Sequence, residues 1–310
     1  ELLPFKWLLG IPWKPMLGKV RDQMYHLLCW AYASSDQFNG VRILHNLEKR
    51  SSPPFCTWYL CCYCDPAELQ RRAKTPNPHH CYGWTIEKAL FHIKTYGIPR
   101  ELVKAFDCKI HNPQSIDDFL SKKRTLKNVR RIGTIQEALQ ELQWQPIGAD
   151  LINYTGMAQP GKYVYYGPAE IRMSNPCFVG YHSVVIAGLD ILADELVAVC
   201  KDSHGYHRGD DGYIYVSLGT LHIPLGVDSI NKERVRHSNQ FMHLLSNFVA
   251  IDMDVNHDED EKGDDEEARE EEEPKEEEIE DDYVEYVPVA KRRRASTGGF
   301  SSSVVAAKEH

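Results

Sequence analysis

The chain has 310 residues, 42% of them hydrophobic and 26% charged, with a net charge of −9 at pH 7. That length suits one sizeable globular domain plus a tail. No apolar run reaches the roughly 18 residues that a membrane-spanning helix needs. The charge is unevenly placed: residues 252 to 285 hold 21 acidic against 3 basic residues, a net of −18, whereas residues 1 to 251 hold 28 Lys or Arg against 23 Asp or Glu, a net of +5. The acidity therefore belongs to the tail, and neither direct nucleic-acid binding nor a membrane partner is expected.

In chain order, Leu28, Ala31 and Tyr32, followed by Val41, Ile43 and Leu44, predict a largely buried helix over 28 to 46, with imperfect spacing around Gly40. Cys29 stands where that helix begins, beside Trp30. A thiol at a helix N-terminus feels the positive end of the macrodipole, which stabilises thiolate and suits a nucleophile. The plainer reading is a core cysteine, since free Cys is among the most buried residue types. Cys56, Cys61, Cys62 and Cys64, with His79, His80 and Cys81 downstream, invite a zinc reading, but their spacing is not that of the usual C-x-x-C pairs. No metal and no cofactor are expected.

Further helices are predicted over 83 to 96 and 134 to 143, and strands over 147 to 153, 162 to 166, 181 to 189, 195 to 201 and 212 to 217. The Ser/Lys/Arg-rich stretch from 109 to 133 lacks clear periodicity and reads as a crossing between two parts of the domain. Residues 252 to 310, with high charge and few apolar side chains, are expected to be disordered. They offer a surface for a basic protein partner or act simply as a solubilising tail. Lys291-Arg292-Arg293-Arg294 resembles a nuclear import signal, and Arg293-Arg294-Ala295-Ser296 a basophilic kinase site; both motifs are short and weak.

Four ordered blocks give the chain its strongest resemblance. Val20-Arg21-Asp22-Gln23, then Cys29-Trp30-Ala31-Tyr32, resembles the active-site segment V-K-D-Q-G-x-C-G-S-C-W-A-F of papain-like cysteine proteases, with the same spacing from glutamine to cysteine. Cys81-Tyr82-Gly83-Trp84 and the following Ala89-Leu90-Phe91-His92-Ile93 and Tyr96-Gly97-Ile98 look like that family's G-C-x-G-G segment and its helix. Gln145-Pro146-Ile147, Tyr163 to Pro168 and Tyr181-His182-Ser183-Val184-Val185 resemble the strands that carry the family's histidine. Lys201-Asp202-Ser203-His204-Gly205 and Gly209-Asp210-Asp211-Gly212-Tyr213-Ile214 stand where the family reads K-N-S-W-G-x-x-W-G-x-x-G-Y-I. The resemblance covers roughly residues 4 to 230.

It implies an α+β, two-lobe fold over residues 1 to 251, with a helical N-terminal lobe, a β-rich C-terminal lobe and a cleft between them. It also implies that Cys29 is the nucleophile, His182 its base, Asp202 the residue that orients the imidazole in place of asparagine, and Gln23 a donor to the oxyanion hole. Substrate contacts would come from Gly83, Trp84, Asp150, Ser183 and His204. The implied activity is a cysteine-type endopeptidase acting on a peptide or protein substrate; the alternative is a silent papain-like module that serves as an interaction surface.

Departures from the family pattern gather around the site. His204 and Arg208 replace two tryptophans, and loss of the first is expected to leave the histidine's bond to its orienter wetter and weaker. Trp84 replaces a glycine and could close the cleft. Leu27, Leu28 and Met24 replace small residues, so the loop before Cys29 is expected to take a different path. His26 stands where the family has a cysteine, leaving Cys81 without that disulfide partner; Cys177 has a counterpart only in Asp228, whereas Cys64 and Cys108 could still pair. Nine cysteines with broken pairings fit a reducing intracellular compartment, nucleus or cytoplasm, with the vacuole, lysosome or extracellular space as the family's alternatives. The N-terminus resembles the start of a mature protease domain, with neither signal peptide nor prosegment in the sequence given.

Overall fold

Helix α1, Cys29–Leu44, is polar enough in sequence to look like a surface helix, yet Trp30 through Ile43 are all buried. Its polar side chains are hydrogen-bonded within the core. Ser34 and Ser35 donate to the carbonyls of Ala31 and Tyr32, and Gln37 reaches across to the carbonyls of Val249 and Pro146. Buried polar groups are tolerated on these terms. Gly40 interrupts the helical pattern for a packing reason: a Cβ there would lie 2.9 Å from Leu17 Cδ2. Gly148, on the strand facing the helix, is constrained likewise, since its Cβ would lie 2.5 Å from Gln37 Oε1.

The computed structural model describes residues 8–76, 79–101, 123–154, 157, 160–169, 178–223, 225–227, 234–236 and 240–254. After α1 come α2 (Thr57–Tyr63), α3 (Pro66–Ala73), α4 (Ile86–Tyr96), β1 (Asn128–Ile132), α5 (Ile135–Glu141), β2 (Ile147–Tyr154), β3 (Val164–Tyr165), β4 (Phe178–Leu192), β5 (Glu195–Lys201), β6 (Tyr213–Ser217), β7 (Leu221–His222), β8 (Leu225–Val227), β9 (Arg234–Arg236), β10 (Met242–His243) and β11 (Leu245–Asp252). The main sheet runs β1-β11-β2-β4-β5-β6-β3, with β8 and β9 attached to β4, while β7 and β10 form a separate pair. Helices α1 to α4 precede all the strands, so the chain divides into a helical half and a sheet half, and α1 packs on β4 and α4.

Helices α2 and α3 escape a periodicity reading because they are short, and α3 buries only Leu69. Local chemistry starts them instead: Cys56 Sγ accepts from Tyr59 N, and Asp65 accepts from Glu68 N with Pro66 in the first turn. The end of the 109 to 133 crossing is not irregular, for β1 occupies Asn128–Ile132 at the edge of the sheet. Its charges suit that edge, where Arg130 pairs with Glu141 and Asp252. The expected disordered tail does not begin at 252, for Asp252 ends β11 in a pair with Arg130 and Met253 is buried; residues 102–122 and everything from 255 onward, including the rest of the acidic tail and the basic cluster, lie outside the described residues.

One buried ionic knot joins the halves. Asp36, on α1, accepts from Arg21 Nη2 at 2.6 Å and from Lys201 Nζ at 2.9 Å. Lys201 Nζ also donates to the carbonyls of Leu17 (2.5 Å) and Lys19 (2.9 Å), so all three ammonium protons have acceptors. Removing one member of such a set strands charge where water cannot reach it. Asp36→Asn, which leaves Lys201 without a carboxylate and Arg21 with Glu101 alone at 3.4 Å, is expected to lower stability by about 3–5 kcal/mol in urea unfolding, and Lys201→Met, which leaves Asp36 paired with Arg21, by less. The reverse ranking would remove Asp36 as the shared counter-ion.

Candidate active site

Cys29 is the first residue of α1, and its N-cap, Leu28, supplies no side-chain cap to the helix N-terminus. His182 sits within β4, opposite Leu151 of β2, and Asp202 directly follows β5. The sheet therefore presents His182 and Asp202 on adjacent strands. His182 Nε2 and Asp202 Oδ1 are 2.5 Å apart, and the Cys29 thiol lies near enough to His182 for the imidazole to lower its pKa. With Nε2 engaged by the carboxylate, Nδ1 is left for the sulfur.

The Asp202 carboxylate is fully buried and accepts from three directions, His182, the Ser203 amide at 2.7 Å and His204 Nδ1 at 3.1 and 3.2 Å, with the Arg208 guanidinium 3.9 Å away as a further positive charge. Burial opposes its ionisation, but His182 and then His204 hold its pKa far below the usual carboxylate range. Burial likewise works against the His182 imidazolium, yet the charge and hydrogen bond of Asp202, followed by the bond to Cys29, raise its pKa to about 10. Burial pushes the Cys29 thiol up, and the hydrogen bond and charge of His182, aided by Ser183, bring it below its ordinary value. A thiolate–imidazolium pair is the favoured charge state of such a site.

The expected loosening around His204 is not seen. Its imidazole lies beside that of His182, ring centroids 4.9 Å apart, and bonds to the same carboxylate. A polar ring has replaced an apolar shield, and the His182–Asp202 bond remains short.

Gln23 is buried and tied on both sides of its amide: Nε2 donates to the His26 carbonyl at 2.6 Å, and Oε1 accepts from Ser203 Oγ at 2.6 Å. Its backbone N–H donates to the Ser203 carbonyl at 2.7 Å. Met24, in place of glycine, has φ +50, so the loop keeps a left-handed residue there although the side chain makes that conformation costly, by about 1–2 kcal/mol. The Asp22 carboxylate, accepting from the Met24 amide, supports the turn. Trp30 Nε1 donates to both the Leu27 and Tyr82 carbonyls, at 3.0 and 2.8 Å, and so joins the loop before Cys29 to the segment bearing Gly83 and Trp84.

The remaining predicted contacts fall into two groups. Asp150 faces Ser183 across the β2–β4 register, accepting from Ser183 Oγ at 3.1 Å and from Asn247 Nδ2 at 3.0 Å. Burial raises its pKa, partly countered by those two hydrogen bonds and by His182. A groove of about 440 Å³ lies over it, between Thr85, Ile86, Asn247 and Phe248. Ser183 and Trp84 do not line this groove; the Trp84 indole instead meets Tyr82 edge-on at 5.9 Å and lies under Lys88 Nζ at 4.2 Å. A Cβ on Gly83 would meet nothing within 4 Å.

Two residues here carried no sequence signal of their own. Ser203 lies inside the Lys-Asp-Ser-His-Gly block but becomes meaningful only once Gln23 is beside it, and Asn247 lies on β11, a strand the sequence did not reveal. The seven described cysteines are free thiols. Cys81 Sγ lies 3.4 Å from His26 Nδ1, a hydrogen bond in the place of the missing disulfide, and Cys64 is free, its suggested partner Cys108 lying outside the described residues with Cys177.

Solved structures share this architecture. They include a cysteine protease of Carica candamarcensis, CMS1MS2, in complex with E-64, at 19% identity and TM-score 0.52 over 79% of this chain and 98% of that one. Procathepsin B S9 of Trypanosoma congolense is 15% identical with TM-score 0.55, over 80% and 75%. The bromelain protease of Ananas comosus, in complex with the E64 inhibitor, is 14% identical with TM-score 0.51, over 79% and 98%. At such identities the likeness establishes the fold, and the chain has the two-lobed α+β papain-like fold. No protein-family model and no curated protein matches the sequence.

The charge states have a direct chemical readout. In the presence of a chelator at pH 6.5, iodoacetamide is expected to modify Cys29 at least tenfold faster than Cys56 or Cys62, whose pKa values burial raises to about 11 and about 12. The Cys29 rate should rise with a midpoint below the ordinary thiol value of about 8.5. His182, with its pKa raised from about 6.5 unfolded to about 10 folded, contributes stability that is complete below pH 6.5 and lost as pH climbs to 10. The stability gap between wild type and His182→Gln should shrink across that interval. A Cys29 rate that rises only above pH 8.5 contradicts the ion pair.

Proposed function

We propose that this chain is a cysteine-type endopeptidase in which Cys29 and His182 work as a thiolate–imidazolium pair on a peptide or protein substrate. The observation that carries this reading is the short bond between His182 and the buried Asp202 carboxylate, beside a Cys29 thiol whose pKa His182 lowers. Nucleophile, base and orienter come from a helix terminus, a strand and a strand end, which is the arrangement that holds reacting groups rigidly.

The reaction follows from the charge states. The Cys29 sulfur attacks the peptide carbonyl carbon, and the carbonyl π electrons move onto oxygen. That oxyanion would be met by the Cys29 backbone N–H and by the second Nε2 proton of Gln23, the first being held by His26. As the tetrahedral intermediate collapses, His182 gives its proton to the departing amine and a thioester remains. Neutral His182 then takes a proton from water, whose oxygen attacks the thioester; collapse releases the acid and restores the ion pair. Asp202 keeps its negative charge throughout, fixing the ring and favouring its protonated form.

A second reading, a silent module that uses the old cleft as an interaction surface, has one observation in its favour: the Gln23 amide already has partners at both heavy atoms. The two readings separate on turnover. Hydrolysis of a fluorogenic peptide library by wild type, abolished in Cys29→Ala and lowered about 10²–10³-fold in Gln23→Ala, is the outcome expected of the peptidase. Asp202→Asn, by removing the charge that raises His182, should move the alkaline limb of the rate profile to lower pH. Equal turnover by wild type and Cys29→Ala, or none by either, sinks the peptidase reading. As for partners, the acidic segment after 251 is proposed as a contact for basic proteins on charge alone.

A further inference from the structure

Among the described residues, one group of three side chains has ligating atoms close enough to hold a metal ion: His182, Asp202 and His204, all within 4.8 Å of one another. His182 Nε2 and His204 Nδ1 approach the same carboxylate, at 2.5 and 3.1 Å from Oδ1, from rings inclined by 36°. Two imidazoles and one carboxylate match the donor set of zinc sites with three protein ligands and an open position. Tetrahedral zinc with bonds near 2.0–2.1 Å places its ligands about 3.3 Å apart, so the carboxylate contact must open from 2.5 Å and the most separated ligand atoms, within 4.8 Å of one another, must draw in. His204 is the partly exposed member, its side chain 20% accessible, and gives the ion a way in from solvent. Arg208 Nε, 3.9 Å from Oδ2, opposes a cation, although Nη2 of the same guanidinium is held by the Met157 carbonyl at 2.8 Å and not by Asp202.

We propose that His182, Asp202 and His204 form a reversible binding site for a divalent transition metal of the zinc class. The nitrogen donors select against Mg²⁺ and Ca²⁺, which prefer all-oxygen surroundings. On binding, the Nε2 proton of His182 and the Nδ1 proton of His204 leave to solvent, the lone pairs they free go to the metal, and His204 carries a proton on Nε2. Coordinated His182 keeps at most its Nδ1 proton, and a metal-bound neutral ring gives that proton up far less readily than an imidazolium does. The consequence, a metal-dependent brake on the proton transfers assigned above to His182, rests on the peptidase reading; the site itself does not.

The test therefore uses a chain that cannot turn over. Full-length Cys29→Ala, stripped of metal, is titrated with Zn²⁺ against a chromophoric chelator and with Co²⁺ by visible absorption. Expected is an equivalent of zinc that Mg²⁺ and Ca²⁺ do not displace, with cobalt d–d bands lacking the near-ultraviolet sulfur charge-transfer band. Adding His204→Phe should weaken that equivalent at least tenfold, and adding Arg208→Gln should tighten it severalfold. His204→Gln, which can still donate to Asp202 but is a poor ligand, serves if the phenylalanine variant does not fold. Zinc affinity unchanged by both His204 substitutions, or no binding at millimolar zinc, overturns the proposal. So does an ion held by wild type but lost in Cys29→Ala, which would place it on the thiol.

Discussion

A single carboxylate, Asp36, decides where the two halves of this molecule stand. Two turns along α1 from Cys29, it faces both Arg21 and Lys201 in a largely buried region. Arg21 lies two residues before Gln23, and Lys201 immediately precedes Asp202. Three segments that meet at the site are thus tied to one buried anion within a residue or two of their functional side chains. Burying such charges carries a large desolvation penalty, so the knot is poor evidence of extra stability. Its geometric effect is to set helix against sheet, and with it the reach from sulfur to imidazole.

Much of this was legible in the chain. Helices α1, α4 and α5 and strands β2, β4, β5 and β6 announce themselves because their apolar side chains recur with the period of the element or run together where both faces are covered. Elements held by local chemistry or by charge did not. Helix α3 depends on Asp65 and Pro66, and β1 displays Arg130 and Arg131 at a sheet edge where a strand needs little apolar surface. Strand β11 begins with Leu-Ser-Asn, in which Asn247 has φ +51 at a register shift against β2, and neither fits an alternating pattern. The residues of the site were legible through their order and spacing, but their contacts were not. That Ser203 holds Gln23, or that Asn247 shares Asp150 with Ser183, depends on segments 97 to 180 residues apart.

The departures from the resembled pattern also follow a common direction. A disulfide position has become a thiol–imidazole hydrogen bond between Cys81 and His26, and an apolar shield has become His204, bonded to Asp202. Each change replaces a covalent or apolar support with a polar contact that needs a specific protonation state.

The amide of Gln23 has no rotational freedom left in its choice of ends. Were nitrogen and oxygen exchanged, Oε1 would face the His26 carbonyl, lone pair against lone pair, at the 2.6 Å now spanned by a hydrogen bond. The folded chain thus selects one of two nearly isosteric orientations before any ligand arrives. Whatever approaches this side chain meets a fixed dipole whose direction was settled during folding, and no binding energy is spent on turning it.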